Sequence, residues 1–440
     1  MRQLYNVFFA ICFALASPYY FLRLKRRGNW RRGFAQRFGE YDRDLQQSLT
    51  NRHVILVHAV SVGEMNVCVA LVQALQVRFP NAKIVVSTTT TTGMAELQKR
   101  LPGLVGKVYY PIDLHKFVRL AFSSLQPTAI VLVEGEIWPN FIWRAQSMRK
   151  PLFMVNGRLS DRSYARYKRF GFLFRGLFGA FTGVGAQTPE FARKYVEVGC
   201  QPEAVHMLGN LKFDTAGVKT GTGPDVAEML ARLGVPPGAS VLVGGSTHAG
   251  EEDLLAGIYQ RLKPRFPDLF LILVPRHFER GPVLRGQLEK RGLRLAVRSE
   301  VGPDTRHAPG SLDCLLVNTT GELMSFYQAA TLVFVGKSLT AQGGQNPIEP
   351  AALGKPTLFG PNMGNFRDVV RIFLARDAAV QVRDAADLEQ TLAALLADPA
   401  RRARLGLAAS EVVRENRGAV ARTVDMMVEP LRARGLYVAP

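Results

Sequence analysis

The chain opens on twenty residues, 3–22, that carry no charged side chain and are rich in Leu, Phe, Tyr, Ala and Ile. Arg23, Lys25, Arg26, Arg27, Arg31 and Arg32 follow at once. About twenty predominantly apolar residues are what a helix needs to cross a bilayer. A cleaved signal peptide carries its charges before the apolar run, whereas here the basic cluster comes after it, and the positive-inside rule then keeps the bulk of the chain in the cytoplasm. Asn6, Ser17 and Pro18 interrupt the run, so a full span and a helix lying in the membrane interface both remain open. Residues 1–30 are expected to form a membrane anchor with a basic juxtamembrane end.

Beyond residue 50 the pattern changes to short apolar runs alternating with helical stretches. Residues 54–57, 83–87, 129–133 and 152–156 read as buried strands, separated by segments such as 64–78 whose apolar positions recur at helical spacing. A second series runs through 240–244, 269–274, 314–318 and 332–336. Between them, 216–235 is rich in Gly and Thr at its start and reads as a linker. The alternation predicts an α/β chain of two Rossmann-like parallel-sheet domains, 31–215 and 236–440. Each half opens with a strand entering a polar glycine loop, HAVSVGE at 58–64 and GGSTHAGE at 244–251. Ligands of such sheets bind at the carboxyl ends of the strands, so the two loops are expected to face one another across a cleft. Neither loop holds GxxxxGK[ST] or GxGxxG, which argues against an NTPase or a dinucleotide enzyme.

Composition narrows the class. With 440 residues, 47% hydrophobic and 21% charged, the chain is a folded protein of more than one domain and neither disordered nor fibrous. Cys12, Cys68, Cys200 and Cys314 stand far apart without CxxC spacing, so neither a zinc site nor a disulfide framework is expected, and the domains belong in a reducing compartment. The net charge of +20 predicts an anionic partner. Residues 1–215 hold 29 basic against 13 acidic side chains, a net +16, and the rest of the chain only +4. Residues 144–175 carry nine basic residues and one acid, Asp161, interleaved with Tyr164, Tyr167, Phe170, Phe172 and Phe174. That mixture suits stacking on single-stranded nucleic acid, contact with anionic lipid or a plain solvated helix face. The apolar N-terminus favours lipid.

Candidate chemistry sits just beyond the strands. Glu64 begins a helix after the first strand and reads equally as a general base or as the acceptor of a Ser61-x-x-Glu64 capping box. Glu134 and Glu136, in VEGEIWPN at 133–140, place two carboxylates after an apolar strand; paired acids there can stabilise positive charge or bind hydroxyls. For Glu136, capping of the helix that starts near Pro139 is the stronger reading. Lys212, in GNLKFD at 209–214, could neutralise a phosphate or carboxylate. In the second half Pro275 and Arg276 end a long apolar strand, and Thr320, Gly321 and Glu322, then Asn346, Pro347, Ile348 and Glu349, form amide-rich turns before helices. Turns of that kind bind phosphate without a metal, and Glu349 could take ribose hydroxyls. Three such motifs at the strand ends of one domain predict a nucleotide site.

HAVSVGE, VEGEIWPN, NGRLS, GNLKFD, GSTHAGEE, LILVPRH, GELMSFYQAA and GGQNPIEPAALGKP together resemble, in order and spacing, the 3-deoxy-D-manno-octulosonic acid (Kdo) transferases of lipopolysaccharide synthesis. The resemblance covers nearly the whole chain. It implies a GT-B glycosyltransferase at the cytoplasmic face of the inner membrane, moving Kdo from CMP-Kdo onto a tetraacyl-disaccharide bisphosphate precursor of lipid A. It further implies that Glu64 is the catalytic base, that Glu134 and Lys212 stabilise the transition state, and that Pro275, Arg276, Thr320, Gly321, Glu322 and residues 346–349 contact CMP. Thr320 departs from the methionine of that pattern, a change of little weight if the contact there is through backbone.

Transfer from a quaternary anomeric carbon bearing a carboxylate, with CMP as leaving group, needs a base on the acceptor side more than acid help. No DxD motif lies in a suitable loop and no His/Asp cluster stands out, so inverting transfer without a metal or other cofactor is expected. The alternatives are another GT-B transferase using a UDP or ADP donor on a lipid-linked sugar, and a membrane-tethered nucleic-acid-binding protein. The latter leaves the paired loops unexplained and lacks an RNP1 signature or zinc-finger spacing, so no nucleic-acid partner is expected.

Overall fold

The structure, a computed structural model, describes residues 2–26, 31, 33–60, 62–215 and 223–439. Arg27 and Arg32 of the basic cluster, Ser61 of the capping box and 216–222 of the linker lie outside the described residues. The chain divides into two compact units, Met1–Thr215 with Arg417–Pro440, and Ala216–Asn416.

The first unit is built on seven strands, β1 (His53–His58), β2 (Ala82–Thr88), β3 (Gly106–Tyr109), β4 (Ala129–Val133), β5 (Leu152–Gly157), β6 (Gly183–Ala186) and β7 (Val205–Met207). They form one parallel sheet in the order β3-β2-β1-β4-β5-β6-β7. The apolar runs have a direct reason: alternate residues of a strand point to opposite faces, and both faces are covered. Val54 and Leu56 of β1, with Ile130 and Leu132 of β4, enter one core cluster. Ile55, Val57, Ala129, Val131 and Val133 enter the other.

The end of the chain corrects the expected domain boundary, because the C-terminal unit stops at Asn416 instead of running to residue 440. The last helix, Ala419–Arg432, carries Val424, Met427, Val428 and Leu431 on one stripe, and this stripe is buried in the first unit's core with the helix Val62–Arg78. Both carboxylate oxygens of Asp214 take the amides at its start, Gly418 and Val420, at 2.6 Å each.

The N-terminal helix, Arg2–Arg26, holds an apolar stretch, Arg2–Leu22, long enough to cross a membrane. Both of its ends rest on the first unit. Tyr5 Oη donates to Asp113 at 2.8 Å and Asn6 Oδ1 accepts from Asn140 Nδ2 at 2.8 Å, the Tyr5 ring meets Trp143 edge-on, and Phe21 packs edge-on against Phe34. Leu4, Val7, Phe8, Ile11 and Leu15 remain exposed.

The second unit repeats the plan with β8 (Val241–Thr247), β9 (Phe270–Pro275), β10 (Leu295–Val297), β11 (Cys314–Leu316), β12 (Leu332–Val335), β13 (Thr357–Phe359) and β14 (Val380–Gln381). All its pairs are parallel, in the order β10-β11-β9-β8-β12-β13-β14. Leu242, Leu271, Leu273, Cys314, Leu316, Leu332 and Phe334 supply the strand side of its core.

Candidate active site

In an open parallel sheet the ligand crevice lies at the carboxyl ends of the two strands where the order reverses. In the first unit these are β1 and β4, paired over Ile55–His58 and Ala129–Leu132. Glu64 follows β1 and Glu134 follows β4. Glu64 stands in the first turn of the helix Val62–Arg78, 9% exposed. Its Oε2 accepts from the Val60 amide at 2.8 Å, so the carboxylate braces its own loop from behind. The Val60 carbonyl accepts from Thr88 Oγ1 at 3.4 Å and Thr90 Oγ1 at 3.3 Å. His58 in the same motif is a packing residue: it is fully buried, stacks on Tyr110 at 3.9 Å, and burial pushes its imidazole down to about 3, leaving it neutral.

Glu134 is the centre of a buried polar network. It holds a left-handed backbone, φ 67, as does Asn156 at φ 52 near the end of β5. Left-handed geometry is uncommon for such residues and is kept where the surroundings enforce it. Glu134 Oε2 lies 3.0 Å from Arg158 Nε, and Oε1 lies 3.6 Å from Lys212 Nζ and 3.4 Å from Asn156 Nδ2. Asn156 Oδ1 accepts from the Leu211 amide at 3.0 Å, its carbonyl accepts from Gln187 Nε2 at 2.8 Å, and Gln187 Oε1 accepts from Asn210 Nδ2 at 3.0 Å. Asn210 Oδ1 in turn receives the Lys212 amide at 3.0 Å. Two cations against one carboxylate leave a local positive charge. Such a site can stabilise an anionic group. Sequence reasoning brought out Glu134 and Lys212 but missed Arg158, Asn156, Gln187 and Asn210 as members of the same network. The signal for Asn156 and Arg158 lay in NGRLS and that for Asn210 in GNLKFD, segments whose adjacency depends on β4, β5, β6 and β7 being neighbours; Gln187, just after β6, lay in neither.

Glu136 does not cap the helix Pro139–Ser147. Asp113, from the connection after β3, takes the first amides instead, Asn140 at 3.0 Å and Phe141 at 3.0 Å. Glu136 Oε2 accepts from Trp138 Nε1 at 2.9 Å, and burial raises its carboxyl above the ordinary range. Of the aromatics in the basic run, Tyr164, Tyr167 and Phe174 pack inward while Phe170 and Phe172 are exposed beside Lys168 and Arg169.

In the second unit the order reverses at β8, between β9 and β12. Pro275 and Arg276 leave β9, residues 320–322 follow β11, and residues 346–349 lie beyond β12, so all three segments emerge on the same edge of four adjacent strands. Arg276 is exposed and its amide donates to the Thr247 carbonyl at 3.0 Å. Thr320 and Gly321 are exposed, and Gly321 turns at φ 89, a conformation that glycine adopts without strain. The Glu322 carboxylate is gripped at two points by Arg298, at 3.0 and 2.8 Å, and receives Thr319 Oγ1, so its charge is already met. Asn346 Oδ1 accepts from the Ile348 amide at 3.1 Å and its Nδ2 donates to Glu349 Oε1 at 3.1 Å; Pro347 and Ile348 are buried. Behind these turns, fully buried Glu251 accepts from the amides of His248, Lys337, Ser338 and Leu339 at 2.7–3.0 Å. It ties the loop after β8 to the loop after β12. Glu252 beside it engages Arg280 at 2.8 and 3.2 Å and Thr247 Oγ1 at 3.0 Å. Neither acid stood out in the sequence as more than part of a motif. Among the described residues, no group of three or more His, Cys, Asp or Glu is placed to hold a metal ion.

Comparison with known proteins gives the family and the fold. Residues 32–215 match the family described as 3-Deoxy-D-manno-octulosonic-acid transferase (kdotransferase). The 3-deoxy-D-manno-octulosonic acid transferase of Haemophilus influenzae is 30% identical over 430 residues, 97% of this chain and 98% of that protein. The enzyme of the same description from Bordetella pertussis is 32% identical over 389 residues, 85% of this chain and 86% of its own. In fold, the chain is similar to the UDP-GlcNAc 2-epimerase of Neisseria meningitidis bound to UDP-GlcNAc, with a TM-score of 0.56 at 13% identity over 86% of this chain and 100% of that one. The architecture is GT-B, and the chain belongs to the 3-deoxy-D-manno-octulosonic acid transferase family.

Proposed function

We propose that this transferase moves Kdo from CMP-Kdo onto a tetraacyl-disaccharide bisphosphate precursor of lipid A, with inversion and without a metal, at the cytoplasmic face of the inner membrane. The observation that carries the lipid acceptor is that the apolar N-terminal helix is docked on the same unit that bears Glu64, Glu134 and Lys212. With both ends resting on the unit and Leu4, Val7, Phe8, Ile11 and Leu15 exposed, the helix is read as lying in the interface plane. The exposed Phe170 and Phe172 beside Lys168 and Arg169 add a second contact with anionic lipid.

Glu64, at the end of β1, takes the proton of the attacking acceptor hydroxyl. As the anomeric carbon loses CMP, positive charge develops on the sugar, and Glu134 offsets it while Lys212 and Arg158 hold the sugar carboxylate or a phosphate. The donor nucleotide is read onto Pro275, Arg276, Thr320, Gly321, Glu322 and residues 346–349. Glu322, bound to Arg298, and Asn346, bound to its own turn, are assigned backbone contacts. The test is incubation of the full chain with CMP-Kdo and the tetraacyl precursor, with and without a chelator, and mass spectrometry of the product. One or more Kdo residues added in both conditions is the expected result; transfer from UDP- or ADP-sugars instead would replace the donor assignment.

A further inference from the structure

A cavity of about 620 Å³ lies between the N-terminal helix and the loops at the carboxyl end of the first unit's sheet. That volume is within the range of roughly 300–1,000 Å³ of small-molecule sites. Its wall is largely apolar, with Phe13 and Phe21 on the helix and Phe34, Phe38 and Ile112 on the unit; Arg37, whose Nη1 donates to the Thr89 carbonyl at 2.8 Å, also lines it, and Thr90 lies at the side nearest the candidate base. Thr90 Oγ1 donates to the Val60 carbonyl at 3.3 Å, and the Val60 amide donates to Glu64 at 2.8 Å. One residue therefore separates the cavity wall from Glu64. The helix that forms the outer wall turns exposed apolar residues, among them Leu4, Ile11 and Leu15, away from the unit. An apolar cavity between such a helix and a polar site has lipid on one side and the reacting groups on the other.

We propose that this cavity seats one acyl chain of the lipid acceptor and thereby sets the acceptor sugar in register with Glu64. The proposal rests on the lipid A precursor reading above. Burying several methylenes in a preformed apolar site supplies affinity that a de-acylated sugar lacks, and binding energy taken from a remote part of the substrate can be used to orient its reacting end.

The test compares two acceptors with the same disaccharide bisphosphate, one tetraacylated and one fully de-acylated, in detergent micelles and in phosphatidylglycerol-containing vesicles. Ser17→Trp, from the helix wall, and Ile112→Trp, from the opposite wall, fill the space. The native chain should favour the acylated acceptor in kcat/KM, and both variants should reduce that preference by roughly tenfold or more, through KM for the acylated acceptor. Thermal unfolding and KM for CMP-Kdo report whether each variant is intact. An unchanged preference in intact variants overturns the proposal, and so does an equal loss on both acceptors confined to vesicles, which marks a bilayer phospholipid as the occupant. The native chain decides without any variant: an acceptor with a photoreactive diazirine on an acyl chain should label peptides covering residues 13–38 or 89–112, and labelling confined elsewhere overturns the site. Transfer to both acceptors without preference removes the acyl seat and keeps Kdo transfer. Transfer to neither removes both.

Discussion

The two units use one topology and different electrostatics. In each, a parallel sheet reverses order beside its first strand, at β1 and β4 in one and at β8 and β12 in the other. In the first unit, Glu134 at that edge meets Lys212 and Arg158, a surplus of positive charge within a segment that is already +16 over residues 1–215. In the second, Glu251 at the equivalent edge meets four backbone amides, and Glu252 and Glu322 meet Arg280 and Arg298. Glu251 in the second unit holds loops in place; Glu134 in the first is set between two cations. On the proposed function, the same strand-end geometry serves a chemical role in one unit and a scaffolding role in the other, and partner atoms decide which.

Five substitutions can break that contrast. The largest expected effect is on turnover: Glu64→Gln should lower kcat by about 10²–10⁴-fold with CMP-Kdo binding retained, measured by single-turnover assay and calorimetry. Retained turnover would leave Glu64 a loop-bracing role through its contact with Val60. In the second unit Glu251→Gln should cost roughly 3–5 kcal/mol, because an amide nitrogen would face backbone donors that now meet an ionised acceptor. Denaturant unfolding reads it, and a cost below about 1 kcal/mol would refute the scaffolding role. Lys212→Met should destabilise by about 2 kcal/mol, less than a fully unpaired buried charge because Arg158 remains. Adding Glu134→Gln should recover part of that loss in a double-mutant cycle.

The remaining one is a pH effect at Asp113. Burial raises its carboxyl to about 6 from 3.8, against the lowering influence of its contacts with Asn140, Tyr5 and Phe141. A raised folded value means the protonated form is favoured in the native state. That contribution is complete below the unfolded value near 3.8 and is lost as pH rises through about 6, a change of about 3 kcal/mol. Asp113→Asn should flatten the pH dependence of unfolding between pH 4 and pH 7, and an unflattened profile would assign that dependence to other groups.

The legible parts of the fold are those whose signal is local and strong. β1, β4, β5, β8, β9 and β12 are apolar runs buried on both faces, and each was visible as such. β6 was not, because it reads Gly-Val-Gly-Ala; a Cβ on Gly185 would come within 2.9 Å of Leu208, so its composition answers to a neighbour and not to strand propensity. β14 has two residues and carries no pattern at all. The capping of the helix Pro139–Ser147 shows a similar limit. Glu136 stood closest in sequence, yet Asp113, more than twenty residues earlier, arrives first in space.

What the sequence determined by itself is the class of the molecule and the inventory of its chemistry: two α/β halves, an apolar N-terminal helix, a basic first half, and Glu64, Glu134 and Lys212 at strand ends. Hydrophobic period and strand-end position are local properties, and they survive without knowledge of neighbours. Only the tertiary structure decided which polar groups oppose one another. It returned the last helix to the first unit through its buried stripe and Asp214, joined Asn156, Gln187 and Asn210 behind Glu134, and bound Glu322 to Arg298. Those outcomes depend on contacts between segments tens to hundreds of residues apart, where an ion pair or a hydrogen bond leaves no periodic trace in the chain.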